Sequence, residues 1–133
     1  MKELLMQKAI EARKMAYAPY SQFMVGAAVL GIDGKIYTGC NIENASYGMT
    51  VCAERTAIFK MVSEGCLKFK ALAVAGGGKE DSAPCLACRQ VMTEFCESFD
   101  VPVYCNGPDG VIFEHTIKEI CPYPFVSFEK STV

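Results

Sequence analysis

Two short segments constrain this chain more than any other feature, because together they offer three thiols and a carboxyl group. One segment, Thr-Val-Cys-Ala-Glu-Arg, contributes Cys52 and, two residues later, Glu54. The other, Pro-Cys-Leu-Ala-Cys-Arg-Gln, contributes Cys85 and Cys88, whose spacing at the start of a helix places both sulfur atoms on one face. Three thiolates suit Zn²⁺, and a zinc ion with three protein ligands keeps a fourth position for water.

Both cysteine segments are predicted to begin helices, and that position favours ionised thiols. Backbone N–H groups and the positive end of the helix dipole stabilise thiolates at Cys52 and Cys85. Three thiolates and one Zn²⁺ carry a net negative charge, which raises the pKa of a bound water relative to a site with a neutral ligand. The neighbouring cations Arg55 and Arg89 are candidates to offset this charge.

A closed, structural zinc site is the main alternative to an open one. It requires a fourth protein ligand, and the available residues are Cys40, Cys66, Cys96 and His115. None of them has a spacing to the other three cysteines that indicates a shared site, and Glu54 would then have no role. His115, the single histidine, is predicted to lie in a surface loop and is assigned no function.

Hydrophobic periodicity predicts helices alternating with strands along most of the chain. Helices are predicted over residues 4–17, 49–65, 85–99 and 116–120, strands over 24–32, 35–40, 69–75, 101–105 and 111–113, and a tail over 123–128. The apolar run over residues 69–75 is typical of a strand covered on both faces. This order predicts an α/β protein with a mixed sheet, helices on both faces and a parallel crossover through the third main helix.

Length, charge and cysteine content exclude several classes of function. The chain of 133 residues is predicted to form a single catalytic domain over residues 1–133. Its net charge of −2 argues against a nucleic-acid partner, and it has neither a membrane-length apolar run nor a signal-peptide pattern. We therefore expect a cytoplasmic protein whose remaining thiols are core residues or unreactive. These are Cys40, Cys66, Cys96, Cys105 and Cys121.

The paired cysteine segments resemble the zinc-dependent nucleoside deaminases, and specifically the small cytidine deaminases. Cys52-Ala53-Glu54 stands where the wider group has His-x-Glu, and residues 84–88 match its Pro-Cys-x-x-Cys half. The resemblance extends from the first helix to about Phe125. It implies a five-stranded mixed sheet in a three-layer α/β/α arrangement, with one Zn²⁺ per subunit held by Cys52, Cys85 and Cys88.

The resemblance implies hydrolytic deamination of cytidine and 2′-deoxycytidine to uridine and 2′-deoxyuridine, with release of ammonia, as in pyrimidine salvage. In such enzymes zinc lowers the pKa of a bound water toward neutrality. Glu54 would take a proton from that water, deliver it to the pyrimidine ring nitrogen, and carry a second proton to the leaving amine. Arg55 would hydrogen-bond the zinc thiolates.

A nucleoside pocket is implied by the same resemblance. Phe23 would line it, and Asn41 and Glu43, which share one side of an extended segment, would clamp a ribose hydroxyl. The backbone N–H of Ala53 would donate to the base carbonyl. The carbonyl of Ala83 would accept a hydrogen bond from the leaving amine.

Three residues are implied to act across a subunit boundary, in a homotetramer with shared active sites. Phe125 would pack over the base from a neighbouring subunit, and Ala45 and Tyr47 would also reach across. The chain departs from the family pattern in two places. Leu86 replaces a frequent glycine beside the zinc ligands, and Ile120-Cys121 replaces a Leu-Leu pair.

Other functions share part of this pattern. A deaminase of a modified cytosine nucleoside, such as blasticidin S, would use the same zinc motifs, but Asn41, Glu43 and Phe125 favour an ordinary ribonucleoside. A polynucleotide-editing deaminase lacks support, since the chain has no tryptophan and no evident basic platform. A zinc-stabilised interaction module would bind the metal without turnover.

Overall fold

The computed structural model describes residues 1–127 as a five-stranded sheet with helices packed on both faces. Its helices are α1 (Lys2–Arg13), α2 (Ala53–Ser63), α3 (Leu86–Phe95) and α4 (Ile117–Ile120). Its strands are β1 (Gly26–Gly31), β2 (Ile36–Cys40), β3 (Phe69–Ala75), β4 (Pro102–Asn106) and β5 (Ile112–Thr116). Short 3-10 turns lie at Tyr47–Met49 and Pro108–Gly110.

The strand order in the sheet is β2-β1-β3-β4-β5. β1 pairs antiparallel with β2 and β3, and β4 pairs antiparallel with β5, whereas β3 and β4 run parallel. The chain passes from β3 to β4 through α3, as the sequence predicts. The predicted α/β class and the mixed five-stranded sheet are confirmed.

Apolar side chains on the two faces of the sheet form two separate cores. On one face, α1 buries Leu5, Met6 and Ala9 against small residues of β1 and β3. On the other face, α2 and α3 bury their apolar sides against the alternate residues of β1, β3 and β4. Because both faces of the central strands are covered, every residue of β1 is buried, which explains why the strand reads as continuously apolar.

A glycine in β2 sets the position of the helix that carries half of the site. A Cβ atom at Gly39 would lie 2.4 Å from the backbone nitrogen of Ala57 and 2.8 Å from the carbonyl oxygen of Ala53. Any side chain there would push α2 away from the sheet. Gly39 therefore allows the first turns of α2, which follow Cys52 and carry Glu54, to lie directly against the sheet.

The first two helices are shorter than predicted because neighbouring residues pair with distant backbone. α1 ends at Arg13 rather than residue 17, since the N–H of Tyr17 donates to the carbonyl of Asn41. α2 begins at Ala53 rather than residue 49, since residues 42 and 51 exchange two backbone hydrogen bonds. These bonds form an extended segment in front of α2 that periodicity alone does not reveal.

The C-terminal elements differ from prediction for the same reason. α3 ends at Phe95 rather than residue 99, because the N–H of Glu97 donates to the carbonyl of Phe69. β5 runs to Thr116, so His115 lies in a strand opposite Val103 and not in a surface loop. The predicted tail lies partly outside the described residues. Within residues 1–127, no helix is both long enough and apolar enough to cross a membrane.

Candidate active site

Three cysteine sulfurs converge where the N-termini of α2 and α3 meet. Cys52 and Cys85 are the N-cap residues of the two helices, with extended backbones, and Cys88 lies one turn into α3. The Cys52 and Cys85 sulfurs are 3.7 Å apart, and the Cys85 and Cys88 sulfurs are 3.5 Å apart. A tetrahedral zinc with Zn–S bonds of about 2.3 Å separates its sulfurs by about 3.8 Å. The three thiols therefore fit one zinc ion.

The cluster is open on its remaining side. Within residues 1–127, no further cysteine, histidine or carboxylate ligand atom lies within 4.8 Å of all three sulfurs. The four residues considered as a fourth structural ligand are therefore not part of this group. Three protein ligands with a free position are typical of catalytic zinc sites and not of structural ones.

Arg55 supplies positive charge to this cluster. Its Nη2 donates to the sulfur of Cys52 at 3.4 Å. The pKa of Cys52 is lowered to about 5, first by a hydrogen bond from Cys88 and then by those from Arg55 and Cys85. Arg89, the other candidate, instead donates to the carbonyl oxygens of Pro84 and Ile120. Arg55 is thus the cation that contacts the thiols, whereas Arg89 braces the backbone beside them.

Glu54 is a buried carboxyl group in the first turn of α2. Only 4% of its surface is exposed. Burial raises the pKa of Glu54 to about 7, and the negative field of Cys52 acts in the same direction. A carboxyl group with a pKa near neutrality both accepts and releases a proton readily, which suits general acid–base catalysis.

A cavity of about 720 Å³ opens over Glu54 and two of the thiols. It brings together residues that are far apart in sequence and that the sequence assigned to one nucleoside pocket. Phe23, Asn41, Glu43, Ala53 and Ala83 all line it, together with Cys52, Glu54 and Cys85. Cys88 is fully buried beneath them. The volume is in the range of small-molecule sites.

Asn41 is fixed by its amide group. Its Oδ1 accepts a hydrogen bond from the N–H of Val25 at 2.9 Å, and its Nδ2 donates to the carbonyl of Phe23 at 2.8 Å. An amide has a second N–H and a second lone pair. Asn41 therefore aligns the segment that carries Phe23 and keeps one donor and one acceptor position for a ligand.

Glu43 is held as an ionised carboxylate at the cavity wall. One oxygen accepts from the N–H groups of Tyr20 and Ser21, at 3.0 and 3.1 Å, and the other accepts from the Ser21 hydroxyl. These bonds, the hydroxyl first, lower the pKa of Glu43 below its ordinary value. Its charge and position are fixed before any ligand arrives.

Ala45, Tyr47 and Phe125 do not line the cavity of their own chain. All three are exposed, Tyr47 by 78% and Phe125 by 63%. The backbone of Phe125 is nevertheless anchored, because its N–H and carbonyl both bond the side-chain amide of Gln90. The single chain therefore exposes all three residues, with the backbone of Phe125 held in place by Gln90.

The sequence-based assignment of the pocket included Ala83 but missed residues 76–82, which precede it in the loop between β3 and α3 and complete one wall of the cavity. Asn106, at the end of β4, fastens this loop. Its Oδ1 accepts from the N–H of Gly76 at 2.8 Å, and its carbonyl accepts from the N–H of Ser82 at 3.2 Å. The available signal was the glycine run at residues 76–78, between the apolar run of β3 and the second cysteine segment.

The first departure from the family pattern does not intrude on the site. Leu86 is 76% exposed and lies outside the lining of the cavity. At the second departure, Ile120 is buried in the core formed with α2 and α3, and Cys121 is half-buried.

An open three-thiol zinc centre beside a buried carboxyl group, set in an α/β/α sandwich, defines a zinc-dependent hydrolase. A family model described as the cytidine and deoxycytidylate deaminase zinc-binding region matches residues 1–104. The chain belongs to this family.

Proteins of this family resemble the chain over almost its whole length. It is 52% identical over 123 residues to the cytidine deaminase of Sporosarcina psychrophila, covering 92% of this chain and 90% of the relative. It is 50% identical to that of Halalkalibacterium halodurans, covering 95% of each. Its fold matches the crystal structure of the Burkholderia pseudomallei cytidine deaminase with a TM-score of 0.88 and 42% identity, covering 94% of this chain and 99% of the other.

Proposed function

We propose that this chain is a zinc-dependent hydrolase that converts cytidine and 2′-deoxycytidine to uridine and 2′-deoxyuridine with release of ammonia. The observation that carries the proposal is the buried Glu54 beside three convergent thiols, at the base of a cavity large enough for a nucleoside. Relatives at 52% and 50% identity that are named cytidine deaminases support the same substrate.

Glu54 is proposed to move the protons of the reaction. Bound zinc activates a water molecule as the nucleophile. Glu54 accepts a proton and delivers it to the ring nitrogen beside C4 as the C4–O bond forms. It then takes the proton of the new C4 hydroxyl group and transfers it to the exocyclic amine, so the C4–N bond breaks, the C4 carbonyl forms and ammonia leaves. The near-neutral pKa that burial gives Glu54 supports both the basic and the acidic step.

The remaining cavity residues are proposed to orient the nucleoside. The N–H of Ala53 and the carbonyl of Ala83 face the polar edge of the base, and Phe23 packs against its ring. Glu43, ionised and pre-positioned, accepts hydrogen bonds from ribose hydroxyls with Asn41 beside it. The support for these roles is that all five residues line one cavity together with Cys52 and Cys85.

The active enzyme is proposed to be a homotetramer whose sites are completed by neighbouring subunits. Support comes from Ala45, Tyr47 and Phe125, which are exposed and lie outside the cavity lining of their own chain.

We also propose that residues 1–133 form one catalytic domain that works in the cytoplasm. The eight free cysteines support a reducing compartment.

Subunit mixing tests the shared site. A Glu54→Ala subunit and a Phe125→Ala subunit are each expected to be nearly inactive alone. After dissociation and reassembly together, sites that combine Glu54 of one chain with Phe125 of another regain activity. A mixture that stays as inactive as its components contradicts cross-subunit completion by Phe125.

Ammonia release by the zinc-loaded parent protein tests the activity itself. We expect turnover of both cytidine and 2′-deoxycytidine, and none of adenosine. Turnover of blasticidin S alone would replace the proposed substrate with a modified cytosine nucleoside. A folded, zinc-loaded protein without turnover of any of these compounds would contradict the enzymatic proposal and favour an interaction module.

A further inference from the structure

A second group of metal-ligating side chains lies in the described chain besides the three thiols. Asp81, Cys105 and His115 place a carboxylate oxygen, a sulfur and an imidazole nitrogen within 4.8 Å of one another. Asp81 comes from the loop after β3, whereas Cys105 and His115 lie on the adjacent antiparallel strands β4 and β5. Three different elements thus direct three different ligand types to one point.

The sheet register explains why the two strand residues meet. His115 is paired directly with Val103, and Cys105 lies two residues beyond Val103 on the same face of β4. Diagonal neighbours on one face of an antiparallel pair are within reach of a ring and a thiol. The strand pairing therefore places Cys105 and His115 on one face of the sheet, as diagonal neighbours.

Hydrogen bonding at the cluster is incomplete. His115 Nε2 lies 2.8 Å from Asp81 Oδ2. The other carboxylate oxygen, Asp81 Oδ1, is buried and accepts no well-formed hydrogen bond within residues 1–127, although the Asp81 carboxylate lies close enough to Cys105 to add to the effect of burial in raising the pKa of that thiol. A buried oxygen without a partner costs free energy, and a metal ion bound by Asp81 would give this carboxylate the missing interaction.

We propose that Asp81, Cys105 and His115 bind a second divalent metal ion of borderline softness, with Zn²⁺ as the best match. One thiolate, one neutral imidazole and one carboxylate are all zinc ligands. Their charges and that of Zn²⁺ sum to zero, which suits a site where Cys105 is fully buried. On binding, the Cys105 S–H bond breaks, its proton passes to solvent, and a metal–sulfur bond forms.

Metal binding would bring the three ligand atoms, which lie within 4.8 Å of one another, to tetrahedral separations. Bond lengths of about 2.0 to 2.3 Å separate tetrahedral ligand atoms by about 3.3 to 3.6 Å, so the His115–Asp81 contact would lengthen by about 0.5 Å. The side chains of His115 and Asp81 are 27% and 32% exposed, which leaves an entry path. The ion would link the loop between β3 and α3 to strands β4 and β5. It would therefore stabilise the cavity wall that this loop forms.

The single histidine makes the proposal directly measurable. In an untagged, ¹⁵N-labelled protein, every histidine ring signal reports on His115. We expect the first equivalent of Zn²⁺ to fill the three-thiol site without moving these signals. The second equivalent should shift one ring nitrogen to a metal-bound position and raise the thermal midpoint. Ring signals that do not respond to a second equivalent overturn the proposal.

Metal counting separates a built site from weak surface binding. At about 1 µM free Zn²⁺, set by a competing chelator, we expect two zinc ions per chain in the parent and one in Cys105→Ser. His115→Gln, which retains an N–H donor for Asp81, should also bind one. Cys40→Ser, which alters a thiol outside both groups, should still bind two. One zinc per parent chain, or two in either cluster variant, overturns the assignment.

This inference does not depend on the proposed deaminase activity, because neither measurement involves turnover and the three thiols are intact in every variant.

Discussion

The two groups of metal-ligating residues are built in opposite ways. Cys85 and Cys88 lie at the start of α3, where their spacing along the chain already places both sulfurs on one side, and Cys52 joins them from the N-terminus of α2. Asp81 and His115 are brought together by a loop and a strand pairing, with nothing local in the sequence to link them. A sequence reveals ligands that share the start of a helix, whereas it does not reveal ligands that the register of a sheet brings together.

The chemistry of the two groups differs as much as their origin. Three thiolates leave a zinc ion with net negative charge, and Arg55 lies against one sulfur to offset it. The second group is neutral with zinc and has no catalytic carboxyl group assigned to it. The open position and the buried Glu54 belong to the first group only, which is why we assign turnover to it and a stabilising role to the second.

The largest expected effect comes from removing the proton carrier. Glu54→Gln keeps the size of the side chain but cannot accept a proton, and we expect kcat to fall by at least about 10²–10⁴-fold. Zinc content of the three-thiol site should be unchanged. Steady-state kinetics and metal analysis check this, with Glu64→Gln at the far end of α2 as a control. A variant with more than a tenth of parental kcat would contradict the role of Glu54.

Removal of one thiol should affect metal binding at the first group alone. Cys88→Ser replaces a buried ligand of the three-thiol site. We expect the zinc affinity of that site to fall by more than about 100-fold, because loss of a group that only hydrogen-bonds a ligand already costs about 10- to 100-fold. Activity should fall in parallel and recover in part at high zinc. Chelator competition measures the affinity, and Cys66→Ser, a buried thiol outside both groups, serves as the control. Unchanged affinity would remove Cys88 from the ligand set.

We expect removal of the Arg55 charge to reduce activity less than loss of a zinc ligand does, and more than loss of a surface charge does. Arg55→Gln removes the cation beside Cys52, so the metal-bound water becomes harder to ionise. We expect kcat near neutrality to fall by about 10-fold and zinc affinity by about 10-fold, with the acidic limb of the rate–pH profile moved to higher pH. Lys60→Gln, on the exposed side of α2, controls for net charge. A profile that overlays that of the parent would show that Arg55 does not tune the site.

The smallest effect is expected at Leu86, which replaces the glycine that the family often has beside the zinc ligands. Leu86 is 76% exposed and lies outside the cavity lining. Leu86→Gly should change kcat/KM by less than about 2-fold, with a loss of helix stability of no more than about 1 kcal/mol. Kinetics and thermal denaturation measure the two effects. A rate increase of 5-fold or more would mean that the leucine does crowd the zinc ligands.

Much of the fold could be predicted because its signals are local. The apolar run of β3 was located to the residue, and the strands predicted over residues 24–32 and 35–40 contain β1 and β2. Element boundaries were less accurate at α1 and α3, since each is shortened where neighbouring backbone bonds to a distant strand or loop. No periodicity within a helix contains that information.

By itself, the sequence determined the three thiols, the carboxyl group beside them and the order of helices and strands. The spacing of Cys85 and Cys88, and that of Cys52 and Glu54, lies within one helix turn, and the two segments were linked to each other by their joint resemblance to a known family. Tertiary structure alone decided the burial of Glu54, the place of residues 76–82 in the cavity wall, and the position of His115 beside Asp81. Each of these requires contacts between residues far apart in the chain, which form only when the sheet and both layers of helices are in place.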